Sequence, residues 1–173
     1  IKGADEETLD ENTFRLGELP SLMLIERNSE SKKIGDWITE TLLTEKLSPS
    51  CAAILCPSNK ESDLIAYKLP KNLNAVAMKS REFNLDHPGV KVMTYHASKG
   101  LQFPLVVVTG LRDDTFPRRA TGGRDPEEVE EKQRRLFFVA CSRAMNRLLV
   151  VGDSVNPSKF LNYLPNEKWE DFV

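Results

Sequence analysis

Cysteine and histidine are scarce in this sequence of 173 residues, which has three cysteines and two histidines. The cysteines are Cys51, Cys56 and Cys141, an odd number in apolar surroundings. This pattern is typical of reduced intracellular thiols rather than of a disulfide framework. Neither Cys51 nor Cys56 has a cysteine or histidine partner at the spacing of a zinc ligand set. We therefore expect no metal site in this chain.

Long apolar runs are also missing. No run approaches the roughly 18 residues that a membrane-spanning helix needs, and no basic segment followed by an apolar one opens the chain. Hydrophobic residues make up 40% and charged residues 29% of the sequence, which is an ordinary balance for a soluble domain. We expect a soluble protein without a membrane partner. Because position 1 is Ile rather than Met, we also expect the chain to be part of a longer protein.

An excess of positive charge is absent, since 24 Lys and Arg residues stand against 26 Asp and Glu residues. The net charge of −2 gives no field over the whole molecule that would attract nucleic acid. The charge is unevenly placed, however. Eight basic residues lie between positions 118 and 147, against five acids that all fall between positions 125 and 131. Positive charge is therefore concentrated in one segment of the C-terminal half.

The length fits one domain with its own core. Residues 1–19 are acidic and have little apolar periodicity, so we expect a poorly ordered linker or lead-in there and a domain over residues 20–173. Apolar runs predict strands at 21–26, 51–56, 75–78, 90–94, 105–109 and 147–152.

Three helices are predicted between these strands. The first carries Ile34, Ile38 and Leu42 at helical spacing, the second begins at Ser58, and the third begins at Asp125. The alternation of strands and helices indicates an α/β fold, with a mainly parallel sheet covered by helices on both faces.

The stretch from Val90 to Leu111 is the part of the sequence that looks most like a site. Its two apolar runs enclose a polar turn with hydroxyl, imidazole, ammonium and glycine groups. The turn contains Tyr95, His96, Ser98, Lys99, Gly100 and Gln102. Such a loop is how an open α/β sheet presents a ligand site beyond its strand ends. An equally weighted alternative is a tight connection in which Gly100 turns the chain and Lys99 is solvated.

The third helix has a well-defined start, with Asp125 as the N-cap and Pro126 in the first helical position. It is predicted to run to about Arg143, which would place Arg143 at its tip. The predicted buried face consists of Val129, Leu136, Val139 and Ala140. On the helix alone, a cation in the last turn that complements the helix dipole is favoured by about two to one.

Three segments together resemble the last two conserved motifs of superfamily 1 DNA helicases of the UvrD/Rep type. They are VMTYHASKGLQFPLVVVTGL, the TFP of residues 115–117, and RRLFFVACSRAMNRLLVVG. The resemblance implies a RecA-like three-layer fold and the second, C-terminal, of two motor domains. It also implies that ATP is held in the cleft against the N-terminal RecA-like domain of the same protein, that single-stranded DNA crosses both domains, and that the protein works in the cytoplasm, in the bacterial cytosol or nucleoid.

The resemblance assigns roles to individual positions. Thr94, His96 and Lys99 match positions that touch the DNA strand. Gly100 and Gln102 match the part that faces the nucleotide. Arg143 matches the catalytic arginine that reaches the γ-phosphate, and with the motifs in view this role is preferred over the dipole alternative.

Two further basic residues, Arg134 and Arg135, match a pair in the same motif. For this pair, a place on the helix surface or in ion pairs with Glu130 and Glu131 is an equal alternative.

The sequence departs from the family pattern in three respects. Gln102 stands where a glutamate usually meets the ribose hydroxyls, and Pro57 stands where the pattern carries an arginine. The G-x-x-x-x-G-K-[ST] phosphate loop is absent, and so is an apolar strand that ends in Asp-Glu to hold Mg²⁺. We therefore expect ATP with Mg²⁺ to be bound mainly by the N-terminal domain and this chain alone to be inactive as an ATPase. The alternative is a degenerate helicase-like module that binds DNA or protein without ATP turnover.

Overall fold

The computed structural model describes residues 18–79, 83–164 and 170–171, so most of the predicted linker at 1–19 lies outside the described residues. The strands are β1 (Ser21–Ile25), β2 (Ala52–Cys56), β3 (Val76–Ala77), β4 (Lys91–Thr94), β5 (Phe103–Leu111), β6 (Ala144–Asp153) and β7 (Glu170–Asp171). The α-helices are α1 (Glu30–Glu45), α2 (Asn59–Lys68) and α3 (Pro126–Cys141). Every predicted strand and helix has a counterpart in this set.

The strands form one sheet in the order β3-β4-β2-β5-β6-β1-β7. All neighbouring pairs are parallel, so the predicted α/β fold with a parallel sheet is confirmed. The central strand β5 is longer than the predicted 105–109 and pairs with β2 on one side and β6 on the other. Its side chains contribute to the cores on both faces of the sheet, and its residues are almost all inaccessible to solvent.

Helices cover both faces of the sheet and give the predicted three layers. On one face, Ile34 and Ile38 of α1 and Ile65 of α2 pack on strand residues. On the other face, the core contains Phe137 of α3 and Phe160 of the 3-10 turn Lys159–Tyr163. Side chains alternate along a strand, so each strand contributes to both cores.

The buried face of α3 differs from the predicted one. Phe137 and Ala140 are its buried residues, whereas Val129, Leu136 and Val139 are only half-buried. The rings of Phe137 and Phe160 stack with their centroids 6.2 Å apart. The side of α3 that carries Phe137 therefore faces the core. Part of the predicted apolar face therefore lies at the edge of an open groove.

A smaller difference concerns the end of α3. The last turn of α3 closes at Cys141, two residues before the predicted end. No helix in the described ranges is long and apolar enough to cross a membrane.

Candidate functional site

The connection between β4 and β5, residues 95–102, runs along one face of the sheet. It leads from the carboxyl edge, where the parallel strands end, to the amino edge, where they begin. Thr94 ends β4 at the carboxyl edge, where its neighbour in β2 is Cys56. Phe103 begins β5 at the amino edge, next to Ala144 of β6. At about 3.3 Å per residue, these edges are about 20 Å apart. The predicted residues are thus spread along the connection, with Thr94 and His96 at the carboxyl edge, Gly100 and Gln102 toward the amino edge, and Lys99 between them.

Buried side chains hold this connection in place. Tyr95 is fully buried, its backbone N–H donates to the Cys56 carbonyl at 3.0 Å, and its hydroxyl donates to the Thr109 carbonyl. Burial raises the pKa of the Tyr95 hydroxyl well above its usual value. Ser98 is also buried, and its Oγ donates to the Tyr95 carbonyl at 2.8 Å. Because Tyr95 and Ser98 point inward, His96 and Lys99 are left exposed.

Thr94 and His96 form the group at the carboxyl edge. Thr94 is half-buried, and its Oγ1 accepts a hydrogen bond from the backbone N–H of Ala97 at 3.1 Å. The Thr94 hydroxyl keeps its proton for another acceptor. Both side chains are thus available to an external ligand, and Thr94 also shapes the turn that follows it.

Gly100 and Gln102 lie at the amino edge with Arg143. Gly100 has φ +85°, and a Cβ built on it would meet nothing within 4 Å. A positive φ favours glycine, so the turn role considered as the alternative for Gly100 is present, although the residue also faces open space. Gln102 is exposed, and the backbone N–H of Phe103 donates to the Arg143 carbonyl at 3.0 Å.

The guanidinium of Arg143 is held entirely by neutral oxygens. Nε donates to the Val139 carbonyl at 2.9 Å, Nη1 to the Leu101 carbonyl at 3.3 Å, and Nη2 to Ser142 Oγ at 2.9 Å. Among the described residues, no carboxylate forms a salt bridge with Arg143. The bond to Val139 matches the dipole alternative, since it satisfies a carbonyl of the last helical turn. The positive charge itself remains uncompensated.

Arg134 and Arg135 are already engaged on α3. Arg135 pairs with Glu131 one turn earlier, as the ion-pair alternative predicts. The guanidinium carbon of Arg134 lies 5.4 Å from the ring centroid of Tyr163, a cation–π geometry. Glu130 pairs instead with Lys159. These contacts fit the helix-surface alternative for both arginines.

His96 lines a groove of about 660 Å³ between the β2–α2 turn, α3 and the loop before α3. The groove also contains basic side chains of the segment between residues 118 and 132. These are Arg118, Arg119, Arg124 and Lys132. Within the described part, Lys132 pairs with Glu128, and no carboxylate forms a salt bridge with the three arginines. Sequence reasoning did not assign these arginines, and the charge excess between positions 118 and 147 was the only signal for them.

Arg118 has a fixed backbone in this groove. Its N–H donates to Gln133 Oε1 at 2.6 Å, and Gln133 Nε2 donates back to the Arg118 carbonyl at 2.8 Å. The Arg118 side chain reaches across to the Pro57 carbonyl, with Nη2 at 3.3 Å. An arginine side chain therefore lies beside the position where the family pattern carries its own arginine.

A second cluster lies at the carboxyl edge on the opposite face and was not predicted. Arg112, just after β5, pairs with Glu30 at 3.0 Å and with Glu61 at 2.6 Å, and all three side chains are largely buried. Burial raises the pKa of Glu61, although the charge and hydrogen bond of Arg112 act against the rise. Burial alone would lower the pKa of Arg112, but the charges of Glu30 and Glu61 raise it overall.

The Glu30 carboxylate also accepts a hydrogen bond from Thr109 Oγ1. The cluster joins the starts of α1 and α2 to the end of β5. In the described ranges, no three His, Cys, Asp or Glu residues are grouped as metal ligands.

Sequence comparison relates this chain to helicases. The UvrD-like helicase C-terminal domain family matches residues 71–153. The ATP-dependent DNA helicase PcrA of Staphylococcus epidermidis is 36% identical over 90 residues, which is 46% of this chain and 12% of PcrA. The ATP-dependent DNA helicase UvrD1 of Mycobacterium leprae is 43% identical over 88 residues, which is 45% of this chain and 11% of UvrD1. The aligned part is thus about an eighth of these curated relatives.

A solved structure has the same fold. It is described as the C-terminal domain of a possible DNA helicase from Lactobacillus plantarum WCFS1, with a TM-score of 0.69 and 20% identity, and the match covers 90% of this chain and 86% of that one. The sequence matches and the shared fold agree with the motifs that residues 92–152 carry. Residues 71–153 of this chain thus match the UvrD-like helicase C-terminal domain family.

Proposed function

We propose that residues 20–173 form the second RecA-like domain of an ATP-dependent DNA helicase or translocase, preceded by a linker at 1–19. The proposal rests on the family match over residues 71–153 and on relatives that are named ATP-dependent DNA helicases. In the proposed protein, an N-terminal RecA-like domain completes the motor. The protein would work in the cytoplasm on single-stranded DNA.

Arg143 is the proposed catalytic residue. The observation that carries this role is that its guanidinium is ordered by three neutral acceptors and has no carboxylate partner in the described ranges. A guanidinium has five N–H donors, so two remain after these three bonds. An ordered, uncompensated cation is suited to stabilise the charge that spreads over a phosphoryl group during transfer.

Gly100 and Gln102 complete the proposed nucleotide-facing surface. The Leu101 carbonyl between them accepts a hydrogen bond from Arg143 Nη1, which ties the backbone of this surface to the arginine side chain. Gln102 is exposed at the same edge, and its amide can exchange a hydrogen bond with a ribose hydroxyl without the charge of a glutamate. The open space beside Gly100 lets a ligand approach the backbone closely.

Thr94, His96 and Lys99 are the proposed DNA contacts of this domain. A hydroxyl, an imidazole and an ammonium group can hold successive phosphates without reading bases. The groove beside His96 adds uncompensated arginines along the same path. For Thr94 and His96, this arrangement supports a phosphate track that starts at the carboxyl edge, about 20 Å from the nucleotide-facing edge, and Lys99 would extend the track along the connection.

ATP and Mg²⁺ are proposed to be held mainly by the other domain. When bound there, Mg²⁺ neutralises phosphate charge. This sequence has no phosphate-binding lysine loop. Arg143 fits the phosphate end of ATP, because no carboxylate of the described residues already neutralises its charge.

A second candidate function is a helicase-like binding module without turnover. Gln102 in place of glutamate and Pro57 in place of arginine favour it. An intact phosphate loop in the N-terminal part of the full-length protein would argue strongly against it.

The test is ATP hydrolysis stimulated by single-stranded DNA, measured for the full-length protein and for the 173-residue chain. The half-motor proposal expects turnover by the full-length protein and none by the chain alone. Absence of turnover by the full-length protein, together with retained DNA binding, would establish the binding-module alternative instead.

A further inference from the structure

We propose that Ser142 is a positioning residue that sets the orientation of the Arg143 guanidinium. This inference rests on the proposed role of Arg143 and adds a residue to which no role has been assigned. Ser142 follows the last residue of α3, and its side chain is exposed. Its position next to Arg143 in sequence does not by itself bring the two side chains together. The contact depends on how α3 ends.

The two hydrogen bonds of the Ser142 hydroxyl fix its donor and acceptor roles. Oγ–H donates to the Val139 carbonyl at 2.8 Å, and Oγ accepts from Arg143 Nη2 at 2.9 Å. A serine hydroxyl has one proton and two lone pairs. The proton is therefore committed to Val139, and the oxygen presents a lone pair to the arginine.

The Val139 carbonyl also binds the Nε side of the Arg143 guanidinium. Arg143 Nε donates to the Val139 carbonyl at 2.9 Å. Val139, Ser142 and Arg143 thus form a closed set in which one carbonyl oxygen accepts from both side chains. Leu101 adds a third anchor through Nη1 at 3.3 Å, the longest of the three arginine bonds.

The consequence for the guanidinium is a fixed plane. Without the Ser142 oxygen, Nε and Nη1 remain bound, but the planar group is held at two points instead of three and can rock about the line through them. A catalytic cation acts by being in place before charge develops. The loss should therefore appear in kcat rather than in the KM for ATP.

The test uses two substitutions of matched shape in the full-length protein. Ser142→Thr keeps the hydroxyl, whereas Ser142→Val replaces it with a methyl group in a side chain of almost the same volume. We expect Thr to retain the wild-type kcat for DNA-stimulated ATP hydrolysis. We expect Val to lower kcat about tenfold with an unchanged KM, as for one lost hydrogen bond to a charged group. Ser154→Ala, an exposed serine outside the site, is the control.

A double-substitution cycle separates positioning from a purely structural role. If Ser142 acts through the arginine, Ser142→Val has no further effect on kcat once Arg143→Ala is present. Two outcomes would overturn this inference and leave the proposed role of Arg143 intact. One is an equal loss of kcat on Ser142→Val in the wild-type and Arg143→Ala backgrounds. The other is a wild-type kcat for Ser142→Val while Arg143→Ala is impaired. A wild-type kcat for Arg143→Ala would overturn the proposed function of Arg143 and this inference together.

Discussion

Arg112 and Glu30 form a buried ion pair, with Nη1 of the arginine 3.0 Å from Oε2 of the glutamate. Glu61 binds the other terminal nitrogen at 2.6 Å. Arg112 Nε is buried without a hydrogen-bond partner among the described residues. The arginine thus neutralises two buried carboxylates that begin α1 and α2, at the carboxyl edge of the sheet.

The first prediction concerns stability. Arg112→Ala leaves Glu30 and Glu61 buried without their cation, and the free energy of unfolding should fall by about 3 to 5 kcal/mol. Chemical denaturation of the chain measures this change. Arg135→Ala, which removes an exposed helix-surface pair, is the control and should change stability by less than about 0.5 kcal/mol. A loss for Arg112→Ala that is as small as the control would contradict the structural role of the cluster.

The second prediction concerns pH. Because burial raises the pKa of Glu61 above its unfolded value, the folded state holds the proton to higher pH than the unfolded state does. The contribution of Glu61 to stability is therefore present below the unfolded pKa and is lost as pH rises through the folded pKa. The free energy of unfolding of Glu61→Gln, which cannot ionise, should therefore rise relative to that of the wild type as pH increases above 4.5. Parallel denaturation midpoints for the two proteins over this range would disprove the raised pKa.

The third prediction concerns DNA. Lys99 is exposed on the same connection as His96, and Lys99→Ala in the full-length protein should weaken binding to single-stranded DNA regardless of sequence. The slope of log affinity against log salt should fall by about 0.7, as for one lost phosphate contact. Lys33→Ala, an exposed lysine of α1 on the opposite face of the sheet, should leave the slope unchanged. Equal salt slopes for the wild type and Lys99→Ala would remove Lys99 from the track.

The fourth prediction concerns the nucleotide sugar. Gln102→Glu restores a carboxylate at the exposed amino edge, and a charged acceptor binds a hydroxyl more strongly than an amide does. The kcat/KM for ATP should rise relative to that for 3′-deoxy-ATP by about three- to tenfold in the full-length protein. An unchanged ratio of the two kcat/KM values would show that residue 102 does not contact the ribose.

The order and type of the elements could be predicted because the strands are buried on both faces. Such strands appear in the sequence as continuous apolar runs, as in Ala52–Cys56, which is wholly buried. Helix starts were also visible, since Ser58 and Asp125 cap α2 and α3 with their own side chains. The ends and buried faces of helices were less predictable. The orientation of α3 depends on the contact between Phe137 and Phe160, which are 23 positions apart in the sequence.

The buried cluster could not be predicted for a related reason. Glu30, Glu61 and Arg112 come from three separate segments, and they meet because the sheet places β2 on one side of β5 and β6 with β1 on the other. In the sequence, each appears as an ordinary surface charge. The motif residues were found by resemblance, but their separation along the connection became visible only with the register of β4, β2 and β5.

The proposed role of Arg143 is tested most directly by the kcat for DNA-stimulated ATP hydrolysis by the full-length protein with Arg143→Ala, beside the exposed Lys33→Ala as the control. A guanidinium that stabilises the transferred phosphoryl group is worth on the order of 10³ to 10⁵ in rate. We expect a loss in that range for Arg143→Ala, with DNA binding retained, and wild-type turnover for Lys33→Ala. Turnover by Arg143→Ala within about threefold of wild type, less than 1 kcal/mol of transition-state stabilisation, would contradict it.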